Sequence, residues 1–259
     1  MPILIALLLV VGLLPPSQPG RRPDAPIQTV RVAAAADLKF ALDEIIGRLA
    51  NQQPNLRVEV IYGSSGNIHA QLRQRAPYDL FLSADIAYPQ DLISMGLGSS
   101  ADLFIYATGR LVVWAPPGSK LTVERDGLRA LEHAARIAIA NPRHAPYGRA
   151  AEAAIRRAGL WDRVSQRLVL GENIAQTAQF VQSRAADVGV IAKSLALAPE
   201  LRSGRSWDVP ENMHPPLIQA GLVLPWAASR AAAFRLRDVI LGAKGRRVLT
   251  AYGFGLPPV

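Results

Sequence analysis

The sequence predicts an α/β protein of two lobes, each a mostly parallel sheet covered by helices. Three observations carry this reading. Strand-like and helix-like patterns alternate from Val30 almost to the C-terminus. Half of the 259 residues are hydrophobic, enough to bury full cores without covalent staples. About ten strand candidates can be marked, more than one compact doubly wound unit of this length would hold.

The elements follow in order. Val30 and Val32 lead a strand, and Leu38, Leu42, Ile45, Ile46 and Leu49 then recur at helical spacing. Val58, Val60 and Tyr62 alternate with polar residues and read as a strand, and Ile68 and Leu72 open a second helix. Leu80, Phe81 and Leu82 make a compact buried strand ended by Ser83, Ala84 and Asp85. Residues 111–114 and 137–139 are further strands, and a helix is expected over residues 149–158, closed by Gly159. Val169 and Leu170 form a strand, Ile174, Ala178 and Val181 mark a helix, and residues 188–191 return to strand. Residues 217–224 are apolar and extended, and residues 234–252 carry helical patterns broken near Gly242 and Gly245.

Composition removes several function classes. The chain has no cysteine, which excludes disulfides, thiolate metal sites, a cysteine nucleophile and a lipidated cysteine anchor. The net charge of +9 arises from arginines scattered over helix faces rather than from a basic run with interleaved aromatics, so no nucleic-acid partner is expected. Residues 3–14, ILIALLLVVGLL, suit a signal-peptide core better than a membrane span, and the proline-rich stretch behind them separates them from the folded pattern. Residues 1–26 are therefore read as a signal peptide or N-terminal anchor, although no Lys or Arg precedes the run.

Several strand-to-helix turns have the chemistry of an anion cradle. The first turns of a helix leave backbone N–H groups unpaired and carry partial positive charge, so an oxyanion can bind there without a formal counter-charge. Ala33 to Ala36 are small enough for a ligand to approach the backbone, and Asp37 is read mainly as a helix cap. Gly63-Ser64-Ser65-Gly66 offers two hydroxyls ahead of a helix, Pro146-Tyr147-Gly148 a tyrosine hydroxyl, and Gly171-Glu172-Asn173-Ile174 the amide of Ile174. Each turn alone reads equally well as a plain cap or loop; their recurrence in both halves of the chain is the stronger signal.

Six strings in this order resemble the periplasmic molybdate-binding proteins of ABC transporters. They are VRVAAAADLKFALDEI from Val30, VIYGSSGNI from Val60, APYDLFLSAD from Ala76, ANPRHAPYGRAA from Ala140, VGVIAKSLAL from Val188, and the terminal YGF from Tyr252. The resemblance spans nearly all of residues 28–255. It implies a type II periplasmic binding protein fold, two α/β lobes with a ligand cleft and two crossing strands, near residues 103–114 and 217–224. Lobe I would take residues 27–107 and 220–259, and lobe II residues 108–219. It further implies a molybdate or tungstate ligand, no cofactor, no catalysis, periplasmic location, a monomeric state, and a permease and ATPase complex as partner.

Carried over residue by residue, the resemblance assigns the molybdenum, as molybdate, to Ser65 as hydroxyl donor, Ile174 as backbone donor, and Tyr147 at a position that is Ala or Tyr among relatives. Ala36 stands where Ser is frequent and keeps only its N–H, and Ala192 stands where some members place a ligand tyrosine. Tyr147 is expected to supply the hydroxyl that Ala192 lacks, and Asp37 to point away from the anion, which its carboxylate would repel. An enzyme on the same lobes would need a titratable group in the cleft, for which Asp37 is the one obvious candidate; none of the common hydrolase, nucleotide or zinc motifs is present. His69, His133, His144 and His214 lack metal-ligand spacing. A cytosolic effector domain fits poorly with the apolar N-terminus. Binding of sulfate, phosphate or an organic anion is the nearest alternative.

Overall fold

The computed structural model describes residues 27–257. The apolar segment over residues 3–14, and the signal or anchor read from it, lie outside them. The chain begins with β1 (Gln28–Ala35), a 3-10 turn (Ala36–Leu38), α1 (Lys39–Gln52), β2 (Leu56–Gly63), α2 (Ser65–Leu72), β3 (Leu80–Ser83), α3 (Ala87–Ser94) and β4 (Leu103–Gly109). It continues through β5 (Leu111–Ala115), α4 (Val123–Asp126), β6 (Ile137–Ala140), α5 (Pro146–Arg157), α6 (Trp161–Val164), β7 (Leu168–Gly171), α7 (Ile174–Gln182), β8 (Val188–Ala192), α8 (Lys193–Ala196) and β9 (Arg205–Asp208). It ends with β10 (Leu217–Val223), α9 (Arg230–Leu241) and α10 (Ala243–Ala251).

Two five-stranded sheets result, ordered β2-β1-β3-β10-β4 and β7-β6-β8-β5-β9. The chain leaves the first sheet at Arg110, between β4 and β5, and returns at β10. The sheets are mixed rather than mostly parallel. In the first, β1 runs parallel to β2 and β3 while β10 is antiparallel to β3 and β4; in the second, β6 is parallel to β7 and β8 while β5 is antiparallel to β8 and β9. β10 and β5, the strands by which the chain enters a sheet from the cleft side, are the ones that run against the parallel strands.

Burial follows from the sequence. Leu80, Phe81 and Leu82 are fully enclosed, as expected for a short apolar run covered on both faces. Register then sets up the cleft. Ala35 lies opposite Gly63 and Ala34 opposite Leu82, so β1, β2 and β3 end level. Ala140 lies opposite Gly171, so β6 and β7 do the same. The loops behind these ends are thereby brought together, in the crevice where α/β folds place ligands.

Two sequence expectations shift, and one strand forms without a signal of its own. α5 starts at Pro146 instead of Arg149, because proline's fixed φ and missing N–H suit the first helical position. Gly242 does separate α9 from α10, but Gly245 sits inside α10, where a Cβ would stand 2.3 Å from the Val239 carbonyl oxygen. The close approach of two helices, not a break, accounts for that glycine. β9, with the polar string RSWD, carries no strand signal of its own and forms by pairing with β5.

Candidate functional site

Between the lobes lies a cavity of about 10 Å³ lined by Ala35, Ala36, Asp37, Gly63, Ser64, Ser65, Ala84, Ala145, Pro146, Tyr147 and Ile174. These residues come from the ends of β1, β2 and β3 on one side and from the starts of α5 and α7 on the other. That volume is room for about one water-sized body, so the lobes are closed on each other. Larger hollows exist, such as one of about 300 Å³ bounded by Arg31, Tyr78 and Trp226, but no helix starts converge on it.

Each helix start contributes in its own way. Ser64 caps α2, its Oγ accepting from the Asn67 amide at 3.4 Å. Ser65 is fully buried, and its Oγ accepts from the Ala84 amide at 3.0 Å. That bond occupies a lone pair and leaves the hydroxyl proton free to donate. In α5 the N–H of Tyr147 follows Pro146 in the first turn, and in α7 Asn173 caps by accepting from Gln176 at 2.9 Å, leaving Ile174 at the first helical position. Among the described residues no hydrogen bond engages the amides of Ser65, Tyr147 or Ile174. Buried N–H groups are rarely left unpaired. Three around one cavity form a set of donors awaiting an acceptor, and no Lys or Arg lines it.

Asp37 departs from expectation. It makes no cap bond; Ala35 precedes the 3-10 turn, and Asp37 lies within it, 1% exposed and lining the cavity. Its Oδ2 accepts from the Tyr147 hydroxyl at 2.9 Å and from Gln219 Nε2. Gln219 Nε2 also donates to Tyr147 Oη at 3.1 Å, and its Oε1 lies 2.9 Å from the Tyr106 hydroxyl, whose single proton is shared between that oxygen and the Ser83 carbonyl at 3.1 Å. Asp37 Oδ1 is buried and has no partner among the described residues. Burial pushes the Asp37 carboxyl up to about 6, against the opposing pull of the Gln219 and Tyr147 bonds and, more weakly, of the nearby Asp37 and Leu38 backbone N–H groups, neither of which reaches hydrogen-bond geometry with Oδ1. Burial and the nearby Asp37 charge hold the Tyr147 phenol well above its ordinary range.

The candidates therefore divide. Ala36, Ser65, Tyr147 and Ile174 converge on the cavity. Ala192 does not line it: it ends β8, fully buried and paired with Leu111. The Tyr147 hydroxyl, expected to reach the ligand, instead donates to Asp37. His144, which the sequence shows only to lack metal-ligand spacing, sits where the two lobes meet. Its Nδ1 lies 3.0 Å from Ser64 Oγ, its backbone oxygen accepts from the Gly66 amide at 2.9 Å, and its Nε2 is 3.4 Å from Glu172. Its place in the NPRHAPYG string was the available signal, but nothing in the string specifies a partner 80 residues away.

Two lobes closing on one set of donors is the geometry of a binding protein, and comparison with known proteins places it. A family model described as bacterial extracellular solute-binding protein matches residues 30–255. The chain belongs to the bacterial extracellular solute-binding proteins. This solute-binding protein is 32% identical over 250 residues to the molybdate-binding protein of Rhodobacter capsulatus, covering 96% of this chain and 94% of that one. It is 34% identical over 230 residues to the molybdate-binding protein of Azotobacter vinelandii, covering 88% and 90%. The solved structure of the Azotobacter vinelandii periplasmic molybdate-binding protein superposes with a TM-score of 0.82 at 31% identity, covering 88% of this chain and 100% of that one. Two α/β lobes of the type II periplasmic binding fold are thus shared with these relatives, which belong to a non-enzymatic class.

Proposed function

We propose that this solute-binding protein captures molybdate, or the isostructural tungstate, outside the cytoplasmic membrane and hands it to the permease and ATPase of an ABC transporter. The observation that carries this reading is the convergence of three unengaged amides and the Ser65 hydroxyl, drawn from both lobes, on one closed cavity without a cationic side chain. A compact dianion loses its hydration shell on entry, and each oxygen then needs donors in place of water. Hydrogen bonds to an ionised acceptor are roughly twice as strong as neutral ones, so neutral donors suffice when several converge. The anion is cargo: its four oxygens enclose the molybdenum, and the protein bonds to those oxygens, never to the metal.

The cavity's small volume bears on selectivity and on entry. An anion can reach the donors only when the lobes part, and the same anion then holds them together by accepting from both sides. Sulfate presents the same acceptor geometry on a smaller frame, so discrimination rests on size; an unmatched donor around a smaller ion costs about 1–3 kcal/mol. In this reading residues 1–26 direct export, the monomer is the working unit, and Ser65, Tyr147, Ile174 and Ala36 contact the ligand, with Ala192 outside the first layer.

Calorimetric titration of the mature protein with molybdate, tungstate, sulfate and phosphate tests the assignment. Sub-micromolar binding of the first two with weak sulfate binding is expected. Equal affinity for sulfate would remove the molybdate assignment and leave only a general oxyanion carrier.

A further inference from the structure

We propose that Asp37 is itself a ligand donor: the protein takes up one proton with each molybdate, and the protonated Oδ1 hydroxyl of Asp37 hydrogen-bonds an oxygen of the bound anion. This rests on the oxyanion reading above and adds a donor that the sequence resemblance does not assign.

The geometry begins with an asymmetry between the two carboxyl oxygens. Oδ2 is held by the Tyr147 hydroxyl and the Gln219 amide, and Gln219 is in turn held by Tyr106. Oδ1 is enclosed on a residue that lines the cavity, with no partner among the described residues. A buried unpaired carboxylate oxygen is expensive, and beside a dianion it is worse, since like charge at contact disfavours ionisation. Protonation removes both penalties at once. The carboxyl then leaves Oδ2 as acceptor for Tyr147 and Gln219 and presents an O–H from Oδ1. The proton comes from the buffer acid, whose bond to hydrogen breaks as the Oδ1–H bond forms; no other reactant is needed.

The surroundings favour this assignment over a permanently charged Asp37. The titratable groups facing it are the Tyr147 phenol on α5 and the Tyr106 phenol on β4, both neutral, while Ser194 at α8 donates to its backbone oxygen at 2.7 Å. The cations on the elements packed around the 3-10 turn have other partners: Lys39 pairs with Asp43, Lys193 with Asp208, and Arg149 with Asp85. His144 on the neighbouring loop is engaged with Ser64 and Glu172. Burial has already moved the Asp37 carboxyl most of the way to neutral pH, so a nearby dianion has little further to push it.

The test is the proton count on binding. Wild-type protein is titrated with molybdate at about pH 7.5 in buffers of different ionisation enthalpy, alongside Asp37→Asn and His144→Gln. Close to one proton taken up per molybdate by wild type and by His144→Gln is expected. Asp37→Asn should still bind, because its amide N–H replaces the Oδ1 hydroxyl, and should take up none. On wild type alone, affinity should fall roughly tenfold per pH unit above about pH 6 as the free carboxyl ionises, and be nearly flat in Asp37→Asn. Molybdate binding without proton uptake by wild type would overturn the proposal while leaving the oxyanion function standing. Undiminished uptake in Asp37→Asn would also overturn it, placing the proton elsewhere. Tighter binding of hydrogen phosphate than of molybdate would make Asp37 an acceptor instead and defeat both readings; no heat with either metal oxyanion would defeat the function itself.

Discussion

The Asp37 carboxyl links folding to pH, and on the proton-uptake proposal it links binding to pH in the same direction: both weaken as it ionises. Its pKa is raised from 3.8 to about 6 by burial, so the folded protein binds that proton more tightly than the unfolded chain does. The sign follows: the folded state is favoured most below about 3.8, loses stability as pH rises through about 6, and is level above that. A shift of about two units corresponds to roughly 3 kcal/mol, an upper figure because the chain can relax around the charge. Asp37→Asn should therefore raise the denaturation midpoint of the ligand-free protein at about pH 7.5, and the gain should vanish near pH 4. Chemical denaturation at the two pH values checks this; an equal gain at both would mean that the amide acts through packing and not charge. Ser65 is the simpler case. With its oxygen held by the Ala84 amide, Ser65→Ala removes one donor to a charged acceptor and leaves that amide unpaired. Molybdate affinity should drop by about 1.5–3 kcal/mol in calorimetry.

At the scale of elements, the site is a set of helix starts held at the right height by strand ends, and that much can be read from a chain that alternates strand, small-residue turn and helix. The placing of Ser65, Tyr147 and Ile174 at helix starts that line the cavity is legible because hydroxylic or small residues precede a helical period at each place. The partners of Asp37 were not. Gln219 lies 182 residues away on β10, and an isolated Asp before a helix has the same appearance whether it caps or is buried. Ala192 lies outside the cavity lining: a family pattern fixes its place in the chain, not which residues reach the cleft. Gly148 shows how tightly the element is placed. A Cβ there would stand 2.2 Å from the Ala140 carbonyl oxygen, which is backbone and cannot swing aside. Gly148→Ala should shift the first turn of α5, cost about 1–3 kcal/mol in stability, and weaken molybdate binding at least tenfold by displacing the Tyr147 amide. Gly47→Ala on α1, with nothing within 4 Å of the added carbon, is the matched control and should leave binding unchanged while adding about 0.5–1 kcal/mol.

Across the whole molecule, closure is maintained by contacts that are separate from the ligand donors. Arg149 on α5 reaches Asp85 at 2.6 Å and the Tyr88 hydroxyl at 2.9 Å, both belonging to the opposite lobe, and lies over the Tyr88 ring at 5.4 Å. The Gly66 amide and Ser64 hydroxyl meet His144 beside them. These bonds exist only when the lobes are together, so they bias the open-to-closed equilibrium and slow release of whatever is enclosed. The pair is partly exposed, with side chains 39% and 28% accessible, so solvent screening limits its worth to about 1 kcal/mol. Arg149→Ala should thus raise the molybdate dissociation rate about fivefold with little change in association, since it touches no donor. Added salt should accelerate release from wild type toward the variant and barely affect the variant itself. Stopped-flow release measured at two ionic strengths, with small-angle scattering of the ligand-free forms, provides the check. A more extended ligand-free variant with faster release supports a latch; an unchanged release rate would mean that the anion's own bonds to both lobes hold the cleft shut, and that the rim pair follows closure instead of setting it.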